Sequence, residues 1–225
     1  MKDTTSEYLQ AVLDKDSVRA QSVIASVAGD SQNLVNMFEV LGNAQVEIGS
    51  LWEKNVISVA DEHYATQVAL DVISAVSNRF RQSSKRLGYA ALFSCAGEFH
   101  NVGLRMFSTL LSFQGWTVDF LGVGLTVSQV LDALKKKGRK PDLVCVSITM
   151  DFNMQGLLET LRELRRNPDF KETKIMVGGR LFESKTLRAS LDEIVGGHRL
   201  ADSVTLDIKS GLDYASSLLP LGKRE

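Results

Sequence analysis

The 225-residue chain has only two cysteines, three prolines and three histidines, and these scarcities exclude several classes of protein. Cys95 and Cys145 are too few and too far apart for a disulfide framework, and the chain has no CxxC or Cys/His spacing typical of a zinc site. Each cysteine lies at or near the end of an apolar run. We therefore expect buried thiols in a protein of a reducing compartment.

The chain also lacks an excess of charge of one sign and a long hydrophobic run. Its net charge is −1, and the basic stretches at 135–140 and 162–166 fit the polar faces or ends of helices, so we expect no direct binding to nucleic acid. No apolar run reaches the roughly 18 residues that a membrane span needs, and the first residues do not resemble a signal peptide. We predict a cytoplasmic protein that binds no membrane.

The first 86 residues carry apolar side chains at helical spacing throughout. Asp16 and Ser58 are suitable N-caps, and Gly29-Asp30-Ser31 is typical of a helix end followed by a new start. Short turns between helices favour a four-helix bundle. The predicted helices cover residues 5–13, 16–27, 34–52 and 60–80, and the polar stretch 81–88 is predicted to be a linker.

From residue 87 onward, short apolar runs alternate with helical patterns. This alternation predicts right-handed crossovers and a parallel sheet with helices on both faces. The predicted strands are 89–94, 117–121, 143–149, 174–177 and, more weakly, 193–195; the helices are 100–114, 128–137, 154–167, 184–189 and 206–218. The predicted fold is therefore α plus α/β: a four-helix bundle over 1–86, then a flavodoxin-like (Rossmann-type) five-stranded parallel sheet over 87–225.

Polar and glycine residues follow several of these strands, and parallel strands place their carboxyl ends on one edge of the sheet. Ligands of open α/β sheets bind at that edge, and a carboxylate close to a histidine can orient its ring as a metal ligand. Taken one at a time, the same residues also fit ordinary turns between strands and helices. The candidate ligand-binding residues are Glu98, His100, Asn101, Val102, Gly103, Leu121, Gly122, Ser147, Thr149, Gly178 and Gly179.

Together the motifs Glu-x-His-x-x-Gly, Ser-x-Thr and Gly-Gly, in this order, resemble those of the cobalamin-binding domain family. The resemblance implies that His100 ligates cobalt from below after displacing the cofactor's own base, and that the base and its nucleotide tail enter a slot beside the Ser147 strand and the glycines. The family usually has Asp where this chain has Glu98. Because the extra methylene changes the reach to His100, the carboxylate–histidine bond is either remade or lost.

The stretch from Trp52 to the Glu62-His63 pair resembles the corresponding stretch of CarH-type light sensors, which are cobalamin-dependent photoreceptors. By that resemblance Trp52, Val59, Glu62 and His63 face the upper adenosyl group. The residues alone also fit a tryptophan in core packing and a solvated helix pair. Glu53 stands where the photoreceptors carry a second histidine, and residues 1–86 leave no room for their DNA-binding domain.

The resemblance predicts a cobalamin-binding light sensor rather than an enzyme. In this hypothesis, light releases the adenosyl group of adenosylcobalamin and thereby changes the conformation or assembly of the protein. The partners considered are a second copy of the chain and an unidentified signalling protein. Two alternatives stay open: a corrinoid methyl carrier of a methyltransferase system, for which methylcobalamin is the relevant form, and a sensor that uses a bilin. The sequence shows no nucleophile–base arrangement, and residues 122–124 lack the spacing of a dinucleotide fingerprint.

Overall fold

The computed structural model describes residues 2–28, 33–79, 87–183, 194 and 199–219. The chain divides into two compact units, Met1–Arg81 and Gln82–Glu225. Most of the linker predicted over residues 81–88 lies outside the described residues, as does the predicted helix end at residues 29–31. The domain boundary at residue 86 therefore stays a prediction.

The described residues of the first unit form four α-helices, as the helical spacing predicts. They are α1 (Lys2–Leu13), α2 (Ser17–Ala28), α3 (Leu34–Glu53) and α4 (Val59–Arg79). Their apolar faces bury large side chains such as Tyr8 and Phe38. Ser58 caps α4 as predicted, because its hydroxyl accepts a hydrogen bond from the Asp61 amide at 3.2 Å. None of the described helices combines the length and the apolar character needed to cross a membrane.

The second unit is a five-stranded parallel sheet in the order β2-β1-β3-β4-β5. This is the flavodoxin-like order, so the predicted fold is confirmed. The strands are β1 (Tyr89–Cys95), β2 (Thr117–Leu125), β3 (Leu143–Ser147), β4 (Lys174–Gly178) and β5 (Ser203–Thr205), and the helices are α5 (Val102–Phe113), α6 (Val127–Lys136), α7 (Met154–Arg166) and α8 (Ile208–Ser217).

Two strands differ from the prediction in ways that affect the candidate site. β2 continues to Leu125, so Leu121 and Gly122 lie within the strand and not after it. Gly122 and Gly124 have φ of 129° and 65°, and the pairing with β1 shifts register there, so these glycines bend the strand without ending it. β3 ends at Ser147, two residues earlier than predicted.

The fifth strand of the sheet is Ser203–Thr205, a segment that the sequence pattern did not indicate. Three residues that follow an aspartate are too short and too polar to stand out as an apolar strand. The strand predicted over 193–195 falls outside the described residues except for Ile194, and the helix predicted over 184–189 falls outside them entirely.

The central strands β1 and β3 are covered on both faces, which explains their continuous apolar sequences. Every residue of β1 is buried, and β3 is buried except at its last residue. Cys95 and Cys145 are free and buried as predicted. Burial raises the pKa of both thiols, that of Cys95 to about 11. Both cysteines therefore serve as core residues.

Asp202, directly before β5, connects three elements through one carboxylate. It accepts hydrogen bonds from the Ile175 amide at 2.8 Å, from Arg165 of α7 at 2.5 Å and from Lys174 at 3.2 Å. Burial opposes ionisation, but these hydrogen bonds and the Arg165 charge lower the pKa of Asp202 below its ordinary value. The ionised carboxylate therefore stabilises the attachment of the edge strand.

We expect Asp202→Asn to lower the free energy of unfolding at pH 7 by about 1–3 kcal/mol, the range for hydrogen bonds to charged groups. Because the folded-state pKa is depressed, this stabilisation is present above the ordinary pKa of about 3.9 and is lost as the pH falls through the folded-state value. Urea unfolding at pH 7 and at lower pH should show the gap between the two proteins narrowing.

The matched control is Asp169→Asn. Asp169 forms an ion pair with Lys140 at 3.2 Å in which both side chains are more than half exposed, so its removal should change stability by less than about 1 kcal/mol. Equal losses in the two variants would contradict the role assigned to Asp202.

Candidate functional site

The segment between β1 and α5 lies at the point where the strand order of the sheet reverses. β1 pairs with β2 on one side and with β3 on the other, so the connections leaving β1 and β3 run in opposite directions and a crevice opens between them. Glu98 and His100 lie in the β1–α5 segment, and Ser147 and Thr149 lie at and after the end of β3. The fold thus brings these predicted residues to one place.

Glu98 and His100 are joined by two hydrogen bonds to the same carboxylate oxygen. Oε1 of Glu98 lies 2.5 Å from Nδ1 of the His100 ring and accepts a hydrogen bond from the His100 amide at 3.1 Å. Glu98 is completely buried, whereas 57% of the His100 side chain is exposed. Of the two outcomes considered for glutamate at this position, the structure shows the carboxylate–histidine bond remade.

The second oxygen of Glu98 is bound by the segment that follows β3. Oε2 accepts hydrogen bonds from the amides of Thr149 at 2.7 Å and Met150 at 3.0 Å, and from Nδ2 of Asn153 at 3.2 Å. Burial by itself would raise the pKa of Glu98, but the hydrogen bonds from the imidazole and from the amides lower it to about 2. The buried carboxylate is therefore ionised at neutral pH.

The charge of Glu98 decides which nitrogen of His100 can bind a metal. An ionised carboxylate only accepts hydrogen bonds, so Nδ1 of His100 carries the hydrogen and Nε2 is the ring nitrogen with metal-binding capacity. A carboxylate at Nδ1 also makes the histidine a stronger ligand. Among the residues that the structure describes, no three His, Cys, Asp or Glu side chains form a metal-binding group.

The two motif glycines Gly179 and Gly103 differ in how much space the structure leaves for a side chain. At Gly179, φ is 124°, and a Cβ would lie 1.9 Å from the carbonyl oxygen of Ile148. The path of the chain next to β3 therefore requires this glycine, whatever ligand binds. At Gly103, by contrast, a Cβ would meet no described heavy atom within 4 Å. Space around the described residues therefore does not require a glycine at 103, and the approach of a ligand there stays a prediction.

The remaining candidates of this unit take up varied positions around the crevice. Asn101 precedes α5 without a side-chain capping bond, and Val102 is the first residue of that helix. Leu121 packs against the core from β2. Ser147 is the last residue of β3 and pairs with Gly178 of β4.

Sequence reasoning missed three residues that hold Glu98 and its loop in place: Ser94, Met150 and Asn153. Ser94 is buried, and its hydroxyl donates to the Glu98 carbonyl at 2.5 Å and accepts from the Gly124 amide at 3.0 Å. Met150 and Asn153 bind the Glu98 carboxylate as described above. The sequence offered two signals: the Ser94 hydroxyl at the end of an apolar run and Asn153 before a predicted helix. Neither signal reveals a hydrogen-bond partner that lies far away along the chain.

In the first unit, the candidate residues gather around the turn between α3 and α4. Trp52 is 44% exposed and Val59 is 52% exposed, so Trp52 is not a fully buried core residue. Glu62 accepts a hydrogen bond from the Thr66 hydroxyl at 2.9 Å, and Nε2 of His63 lies 3.6 Å from the Glu62 carboxylate. Cofactor contacts by these four residues stay a prediction.

Comparison with protein families gives two matches that together cover most of the chain. Residues 89–201 match a B12 binding domain family, and residues 5–76 match a second family described as a B12 binding domain. The first match begins with β1 and includes the whole Glu98 site. The second covers the helices of the first unit.

The chain is similar to known corrinoid proteins. It is 25% identical over 135 residues to trimethylamine corrinoid protein 1 of Methanosarcina acetivorans, an alignment of 60% of this chain and 60% of that relative. It is 27% identical over 150 residues to monomethylamine corrinoid protein 2 of the same organism, covering 66% of each chain. The chain thus spans only part of the length of these relatives.

A solved structure shares the fold. The structure of the Methanosarcina barkeri monomethylamine corrinoid protein has a TM-score of 0.77, with 18% identity, and the match covers 97% of this chain and 99% of that chain. At this level of identity the likeness shows the fold alone.

The expectation of a CarH-type light sensor is wrong, because the relatives that the chain resembles are methylamine corrinoid proteins. A bilin chromophore and a signalling role likewise have no support among them. The misleading pattern was the spacing from Trp52 to Glu62-His63. It lies on an exposed helical turn, where packing constrains residue identity only weakly.

Substitution by alanine should affect the free energy of unfolding differently at the two motif glycines, Gly179 and Gly103. Gly179→Ala should lower the free energy of unfolding by about 1–3 kcal/mol or more, because a side chain is strained at this φ and meets the Ile148 carbonyl. Gly103→Ala should leave stability unchanged or raise it by up to about 1 kcal/mol, since alanine favours helices. Urea unfolding of both variants tests this, and a large loss for Gly103→Ala would contradict it.

Proposed function

The chain belongs to the B12 binding domain family, and we propose that it is a corrinoid-binding carrier that receives and delivers a methyl group in a methyltransferase system. The similarity to trimethylamine and monomethylamine corrinoid proteins supports this proposal and favours a methylated amine as the methyl donor. The single observation that carries it is the half-exposed His100, held by a buried, ionised carboxylate at the reversal point of the sheet.

The residues present fit a corrinoid on chemical grounds. A corrinoid brings four nitrogen ligands in its own ring and could take a further nitrogen ligand from the protein. His100 would offer an imidazole nitrogen for this purpose, and its ring is oriented by Glu98, whose carboxylate oxygen lies 2.5 Å from Nδ1. At Gly103, a Cβ would meet no described heavy atom within 4 Å, so no described side chain blocks the approach of a ligand to this position.

In this proposal the chain binds and positions and does not itself catalyse. His100 would supply the protein nitrogen that holds the corrinoid, and Glu98 is a positioning residue that sets the tautomer and orientation of the ring. Ser147, Thr149 and Gly178 lie at the ends of neighbouring strands, where they can line the path of the cofactor's nucleotide tail. When bound, the corrinoid supplies a cobalt ion that can carry a methyl group; the partners of such a carrier are methyltransferases.

We expect His100→Ala to remove the protein nitrogen from the cofactor while leaving the fold intact, because the ring is half-exposed. Wild-type protein loaded with hydroxocobalamin should give the absorption spectrum of a corrinoid whose own base is displaced by histidine, and the variant should not. Asp169→Asn, which removes an exposed ion pair with Lys140, is the control and should retain the wild-type spectrum. A wild-type spectrum from the His100 variant would contradict the proposed ligand.

The carrier role itself is tested by methyl transfer. The loaded, reduced protein is incubated in the dark with 14C-labelled monomethylamine or trimethylamine and the matching purified methyltransferase. We expect label to become bound to the wild-type protein and not to the His100→Ala variant. If the wild-type protein binds the corrinoid through histidine but acquires no label from either amine, it is a corrinoid-binding protein with another role.

A further inference from the structure

Asn153 is a nearly buried polar side chain outside every motif that the sequence analysis singled out. Only 7% of its surface is exposed. It lies at the end of a short helical turn, Asp151–Asn153, directly before α7, and its side chain makes no capping bond to that helix. Its amide group is directed instead across the crevice to the β1–α5 segment.

Two acceptors of the β1–α5 segment are bound by the amide group of Asn153. Nδ2 lies 3.2 Å from Oε2 of Glu98 and 3.3 Å from the carbonyl oxygen of Gly97. Gly97 has a φ of 83°, and a Cβ there would lie 2.7 Å from Oδ1 of Asn153. The asparagine thus fits against both the turn and the carboxylate of the segment that carries His100.

The donors to the two oxygens of Glu98 divide according to the segment they come from. Oε1 is bound by His100, and Oε2 is bound by the amides of Thr149 and Met150 and by the side chain of Asn153. Asn153 is the one side-chain donor to Oε2 among the described residues. The two backbone donors belong to adjacent residues and approach the oxygen from the same stretch of chain. A third donor from a different position therefore restricts rotation of the carboxylate.

We propose that Asn153 is a positioning residue that, through Glu98, holds His100 in the Nδ1–H tautomer. The metal-binding role of that tautomer rests on the proposed function, whereas the hydrogen-bond relay exists in the protein without cofactor. Without Asn153, the carboxylate can turn about its two backbone donors, and Oε1 is then less well directed at Nδ1. An unsatisfied Gly97 carbonyl adds a second reason for the segment to shift.

The test measures the tautomer of His100 directly, in protein free of cofactor. Long-range 1H–15N correlation spectra of 15N-histidine-labelled protein distinguish Nδ1–H from Nε2–H, and His100→Ala assigns the signals among the three histidines. At a pH where the ring is neutral, we expect Asn153→Ala to lower the ratio of Nδ1–H to Nε2–H forms by about threefold to tenfold, the effect of one lost hydrogen bond. Asn153→Asp, which retains the shape and removes the donor, should also lower it.

The control variant is Thr160→Ala on α7. Thr160 is equally buried, but its hydroxyl donates to the Gly156 carbonyl of its own helix at 2.8 Å. It should leave the tautomer ratio unchanged even if it destabilises the protein. In a Glu98→Ala background, Asn153→Ala should have no further effect. A wild-type ratio in both Asn153 variants, or an equal change in Thr160→Ala, would overturn the inference.

A second measurement separates this inference from the proposed function. With hydroxocobalamin added, Asn153→Ala should show a smaller fraction of histidine-bound cofactor than wild type, and Thr160→Ala should match wild type. If wild-type protein binds no corrinoid, the proposed function fails, while the tautomer ratios still decide the role of Asn153. If Asn153→Ala has the wild-type fraction, its role in orienting the ligand is refuted.

Discussion

The bond between the Glu98 carboxylate and the His100 ring is the interaction on which the rest of the site depends. A buried carboxylate is costly unless its oxygens are hydrogen-bonded. Glu98 meets this requirement through His100 on one oxygen and three N–H donors on the other. Those donors come from the segments after β1 and after β3. The Glu98 carboxylate is therefore fully hydrogen-bonded, and stays ionised, only when these two segments keep one arrangement relative to each other. The exposed imidazole is thereby oriented by buried groups.

Much of the fold could be predicted from sequence because the periodicity of apolar residues reports burial directly. The buried runs of β1 and β3 and the helices of the first unit are of this kind. The strand Ser203–Thr205 could not be found, because it is only three residues long and has one apolar side chain, Val204, packed against the core. Its attachment also uses the hydrogen bonds of Asp202, which no periodicity reports. The extension of β2 was missed because Gly122 and Gly124 are typical of turns, and only the pairing with β1 shows that they bend a continuing strand.

The site could be predicted in its residue types more readily than in its contacts. The motif placed Glu98 and His100 together, and the structure adds which oxygen meets which nitrogen. Met150 and Asn153 reach the Glu98 carboxylate only because of the way the chain turns after β3. The spacing of residues in the sequence does not predict that turn. Gly179 has a structural reason that the motif does not reveal, because the Ile148 carbonyl leaves no space for a side chain; its contact with a ligand stays a prediction. The expectation of a light sensor rested on the exposed Trp52 turn, and the similarity to methylamine corrinoid proteins contradicts it.

The most direct test of the central claim is the electron paramagnetic resonance spectrum of protein loaded with cobalamin in the Co(II) state. The account predicts a triplet splitting from one axial 14N, which becomes a doublet when the protein alone is labelled with 15N-histidine, because the nitrogen comes from His100. A splitting that does not change with histidine labelling would show that the cofactor retains its own base. It would contradict the assignment of His100 as the residue around which the site is built.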